Sequence, residues 1–188
     1  YGGTTGDSGR VVPRLRRTFP EAMALVDGAA ATGERGGTVT TWLGRSSPAP
    51  EPGWVQAQRS ANGPDAGAGE QERASARDRG RFTRNFVVQG TAAEWALSWM
   101  AALRLRLAQL PEVAPDERAD ASGPVFSRRA HLAFFLHDEV IVHAPADQAE
   151  AAAAAIRESA EAAGRLLFPG SPIDFPLDLA ITERSAEK

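Results

Sequence analysis

The run AHLAFFLHDEVIVHA, residues 130–144, constrains the fold more than any other stretch of the chain. Two apolar, β-prone arms, 132–136 and 140–142, flank the polar residues His137, Asp138 and Glu139. Arms of this length and composition predict two strands of a buried hairpin with the acidic pair at its tip. Adjacent carboxylates at the end of apolar strands are costly to desolvate unless a positive group meets them. A divalent metal ion is the usual answer, and that directs attention to phosphoryl-transfer chemistry.

The rest of the chain bounds this reading. Its 188 residues suit one domain or one and a half and allow a sizeable core. No apolar stretch has the length to span a bilayer, so no membrane partner is expected. There is no cysteine, which removes disulfides and thiolate chemistry and fits a reducing cytoplasm. The net charge of −3 gives no hint of a polyanionic partner, but the charge is uneven. Arg73, Arg77, Arg79, Arg81 and Arg84 stand against one Asp78, a local +4. On charge alone this stripe reads as a solvated helix face, although a basic stripe on an acidic protein still binds polyanions. The chain starts at Tyr1 with no signal-peptide pattern, so an N-terminal part has been removed or the chain is a piece of a larger protein.

Along the chain, a glycine-rich start leads to a predicted helix over 14–31, with Leu15, Phe19, Met23, Val26 and Ala30 at helical spacing. A β-prone run follows at 38–43, closed by Gly44. Residues 46–72 are rich in Pro, Ala, Gly, Gln and Ser and read as a flexible insertion, with Trp54 either tacking it to the body or standing as a lone exposed aromatic. Residues 73–89 are helical in character. Thr91 and Glu94 match a capping box that starts a new helix, with Ala96, Met100, Leu103, Leu107 and Leu110 on one face and Pro111 as its stop. A loop over 112–127, the hairpin, a helix over about 147–167, a PGSP turn and a last strand near 177–182 complete the order. The pattern predicts an α+β fold with an antiparallel sheet.

Two constellations carry chemistry. Asp138 and Glu139 offer the oxygen ligands that magnesium prefers. Two metals a few ångströms apart activate an attacking oxygen and stabilise a leaving one, and such a site needs carboxylates from at least two places in the chain. Taken alone, an acidic turn exposed to water is the plainer reading. His131 and His143 are read as strand-end residues that the hairpin does not bring together. Arg81, Asn85 and Gln89 follow i, i+4, i+8 spacing, which sets three hydrogen-bond donors on one helical face. Every base pair presents acceptors in the minor groove, so such a row can test base-pair geometry without reading sequence. A polar exposed helix face is the alternative. The Phe86-Val87-Val88 run puts the helix end near Gln89.

The segment RFTRNFVVQGTAAEW resembles the family A (DNA polymerase I-like) pattern in which Arg, Asn and Gln precede Gly-Thr-Ala-Ala. The segment FFLHDEVIVHA resembles that family's palm motif, with His-Asp-Glu between two apolar strands, and the two occur in the family's order. FPEAMALVDGAAATGERGGTVTTWLGRSSP is similar to the stretch after the family's fingers helix, and Tyr1-Gly2 would match that helix's last two motif residues. The Ala- and Arg-rich composition is similar to that of actinobacterial bifunctional 3′–5′ exonuclease/polymerases.

The resemblance implies a palm-type antiparallel sheet with packed helices, preceded by part of a helical fingers region. It divides the chain into the end of the fingers (1–45), the insertion (46–72) and the C-terminal half of the palm (73–188). It implies that Asp138 and Glu139 hold Mg2+, that His137 lies close to the primer end, and that Arg81, Asn85 and Gln89 contact the minor groove at the primer terminus. Tyr1 would border the nucleotide pocket. The implied partners are primer–template duplex DNA, deoxynucleoside triphosphates and the upstream part of the same polypeptide, in a cytoplasmic, nucleoid-associated protein of replication or repair. The implied reaction is attack of a primer 3′-hydroxyl on the nucleotide α-phosphate. The family's second metal carboxylate, in an Asp-Tyr-Ser motif, does not occur in these 188 residues, so the isolated chain is expected not to polymerise. The competing expectations are a non-catalytic duplex-DNA-binding module derived from that fold and a metal phosphohydrolase using His137 and Asp138.

Overall fold

Pro20 decides where the first helices part. It has no amide hydrogen to donate and disfavours helical geometry at the residue before it, and Phe19 sits at φ −131°, ψ 63°. In the computed structural model, which describes residues 5–61 and 69–183, this gives two helices, α1 (Thr5–Thr18) and α2 (Pro20–Glu34), where the apolar spacing predicts one. After α2 the β-prone run finds no partner strand. It folds on itself, with a single bridge between Thr40 and Ser46 around a turn in which Gly44 has φ +88°.

The stretch expected as a flexible insertion contains a ten-residue helix, α3 (Pro52–Ala61). Proline at a first helical position has its φ already set for the helix. Of the two readings of Trp54, the structure shows the tack: its indole N–H donates to Ser75 Oγ at 2.8 Å, and the Gln58 amide donates to the Glu72 carbonyl at 2.9 Å. The expectation for 62–68 lies outside the described residues.

One 38-residue helix follows, α4 (Glu70–Leu107), and it overturns two expectations. It does not end near Gln89, and no new helix starts at a capping box. Instead of capping, Thr91 Oγ1 accepts the backbone N–H of Trp42 at 3.1 Å. The helix therefore runs through Gly90 without a break.

The chain forms two compact units, Tyr1–Ala92 and Ala93–Lys188, and α4 contributes to both. Within the first unit, α2 meets α4 at Thr83, which is fully buried and donates its hydroxyl to the Ala29 carbonyl at 2.8 Å. The approach is close because Gly33 has no side chain. A Cβ there would run into the Thr83 hydroxyl and lie 2.8 Å from the Arg79 carbonyl.

In the second unit the end of α4 is a core stripe. Leu103 and Leu107 are buried with Ala130, Ala152 and Ala155, and Trp99 with Ala160 and Ala163. Residues 112–127 hold two single 3-10 turns and a short helix, α5 (Gly123–Phe126). Then come β1 (His131–Leu136), β2 (Glu139–His143) and α6 (Ala149–Leu167). The alanines at 152, 155, 160 and 163 give α6 the small side chains that let it pack on α4, and Trp99 donates its indole N–H to the Ile156 carbonyl at 3.1 Å.

The hairpin pairs antiparallel, and its register shifts by one residue at Ala133. Val140 and Val142 pack on the core with Leu132, but Phe134, Phe135, Leu136 and Ile141 are exposed. The expectation of a buried hairpin is thus half met: a two-stranded sheet has two faces, and described residues cover only one. The final strand expected near 177–182 does not form; Leu177 packs beside Trp99 instead, and the sheet among the described residues has only β1 and β2. The fold is nonetheless α+β, helices with one small antiparallel sheet. No described helix is long and apolar enough to cross a membrane.

Candidate functional site

The tip of the hairpin is made by a two-residue loop, His137 and Asp138, closed by the pair Leu136–Glu139. Two-residue hairpin loops need positive φ at one or both loop positions. Here His137 provides it, at φ 55°. Left-handed backbone is disfavoured by about 1 kcal/mol for a residue carrying a Cβ, and glycine or asparagine would meet the need more cheaply. Asp138 and Glu139 are both exposed, and neither carboxylate pairs with a cation among the described residues. Their alternation along the backbone follows the strand: Glu139 lies on the open face, while Val140 turns to the core.

These donors are oxygen atoms only, the chemistry magnesium prefers. Among the described residues no group of three or more His, Cys, Asp or Glu side chains converges.

The second constellation sits on α4. Because that helix is continuous, Arg81, Asn85 and Gln89 stand on three successive turns, and all three are exposed. Arg81 is held by an ion pair with Asp78, one turn before it. The five-arginine stripe is less uniform than its sequence implies. Arg79 turns inward, donates to the Pro48 carbonyl at 2.8 Å and lies 5.8 Å over the Trp54 ring. It serves the fold. Arg73, Arg77 and Arg84 stay exposed.

Sequence reasoning missed what supports this row. The loop 38–46 docks on α4 just past it. Thr41 fills the space left by Gly90, Trp42 bonds to Thr91, and Arg45 reaches the Gly90 carbonyl at 3.5 Å and the Phe86 ring at 5.9 Å. The segments TVTTWLGR and FVVQGTAA are thus one packed unit. The only signal for it in the sequence is the small residue Gly90 in mid-helix.

Arg81, Asn85 and Gln89 belong to the first unit, and His137, Asp138 and Glu139 to the second. Tyr1 lies outside the described residues. His131 and His143 contradict the expectation that the hairpin keeps them apart: they are direct cross-strand partners, with ring centroids 5.3 Å apart. No family model matches the chain, and no curated protein matches it.

Proposed function

We propose that the chain is part of a template-directed DNA polymerase of the family A type, contributing the end of the fingers and the second half of the palm. The observation that carries this reading is the hairpin tip. A strained His137 and two carboxylates that pair with no cation among the described residues are displayed together at the end of apolar strands, where folding alone would favour glycine and neutral residues. The row Arg81, Asn85, Gln89 on an uninterrupted helix adds a donor surface suited to the acceptors of a minor groove.

In this reading Asp138 and Glu139 hold Mg2+, which when bound supplies charge stabilisation to phosphoryl transfer. Arg81, Asn85 and Gln89 hold the primer–template duplex, and His137 flanks the primer end. The 188 residues alone do not polymerise, because a two-metal site needs a carboxylate from a second segment.

Duplex binding by the native polypeptide that contains this chain, measured by anisotropy over a salt series, tests the reading. Arg81→Ala and Asn85→Ala are expected to weaken primer–template binding, and Arg81→Ala to reduce the log–log salt slope by about 1 if its guanidinium meets a phosphate. Binding that is equally tight in both variants would contradict the proposed interface. Salt-dependent binding with no magnesium-dependent chemistry would instead identify a non-catalytic duplex-binding module.

A further inference from the structure

We propose that His131 and His143 bind a first-row transition-metal dication of the zinc class at the open end of the hairpin, away from its acidic tip. The register shift at Ala133 creates the pair. Without that extra residue, the pairing of Leu136 with Glu139 would set His131 opposite Ala144; with it, His131 faces His143.

Each imidazole has a hydrogen-bond partner at Nδ1. His131 Nδ1 lies 2.9 Å from the Arg129 carbonyl, which can only accept, so Nδ1 carries the proton and Nε2 keeps a free lone pair. His143 Nδ1 lies 3.1 Å from Ser122 Oγ, a hydroxyl that can accept from it or donate to it; in the tautomer that donates through Nδ1, Nε2 is free as well. Ligating histidines characteristically donate their other nitrogen to a carbonyl or similar acceptor, which fixes tautomer and ring direction.

The spacing fits. With a metal–nitrogen bond near 2 Å, two imidazoles at a tetrahedral angle have centroids about 5.2 Å apart. The centroids here are 5.3 Å apart. The pair opens on a recess of about 80 Å³ that Glu117, Ser122 and Phe126 also line. At about 30 Å³ per water, that volume admits an ion with a water or two to complete its coordination. The nearby Arg129 is engaged elsewhere: its guanidinium donates to the Ala108 and Leu110 carbonyls and pairs with Glu112 at 2.8 Å. Imidazole nitrogens select zinc, copper or nickel over magnesium, so this site is chemically distinct from Asp138 and Glu139. Its effect would be to clamp the ends of a two-stranded sheet, which by itself is marginally stable. The proposal does not depend on the polymerase reading.

Calorimetric titration of the tag-free chain with zinc chloride tests it, with imidazole nitrogen NMR of the same sample. One zinc per chain is expected, with the Nε2 resonances of His131 and His143 shifting together and a rise in melting temperature. His131→Gln and His143→Gln should each abolish saturable binding. Ser122→Ala, which removes only the orienting hydroxyl, should weaken it about tenfold. Absence of saturable binding, binding that survives either glutamine substitution, or zinc-induced shifts confined to His137 would overturn the proposal. Should a variant fail to fold, the resonances of the unmodified chain decide.

Discussion

Thr83 and Gly33 show how closely the first unit is fitted at the level of single residues. The Thr83 hydroxyl bridges to the Ala29 carbonyl at 2.8 Å, and Gly33 leaves the room for it. Gly33→Ala inserts a methyl group where the Thr83 side chain and the Arg79 carbonyl already sit. It should cost about 1–3 kcal/mol, seen as a lower urea midpoint with an unchanged slope. His137 is the opposite case, a residue whose backbone works against the fold. His137→Asn should leave the chain at least as stable, gaining up to about 1 kcal/mol in the same measurement, because asparagine accepts left-handed geometry more readily. A loss of stability would mean that the imidazole makes a favourable contact at the tip and is not kept there at a cost.

The helices and strands divide by whether their signals are local. The hairpin and α6 were legible because each is announced within its own stretch, by two apolar, β-prone arms around a polar turn and by a long alanine-rich run. The row Arg81, Asn85, Gln89 was legible for the same reason, since i+4 spacing is a local property. The continuity of α4 was not. Gly90 and the Thr91–Glu94 pattern are local stop and start signals, and the docking of residues 38–46 overrides them by giving Thr91 a partner 49 positions away. The last strand is absent although its residues are β-prone, and Leu177 packs beside Trp99 instead. The meeting of His131 and His143 was hidden because one bulged residue, Ala133, decides the register, and no residue type announces a bulge. Trp99 ties the second unit together, nearly inaccessible and bonded across to α6. Trp99→Ala should therefore cost about 3–5 kcal/mol in a denaturant titration, whereas truncating the exposed Leu105 should cost little.

At the scale of the whole molecule, the chain carries two candidate functional surfaces on two compact units, a donor row on α4 and an acidic tip on the hairpin. Each has a plain structural alternative, a solvated helix face and a solvated turn. A polymerase reading requires both to act on one substrate, and that requirement is what separates it from a binding module or a phosphohydrolase. Magnesium-dependent primer extension by the native polypeptide that contains this chain, compared with its Asp138→Asn variant, tests the reading most directly. The account predicts template-directed extension that falls at least about a hundredfold in the variant while primer–template binding is kept. Undiminished extension in the variant, or none from the native polypeptide, would contradict it.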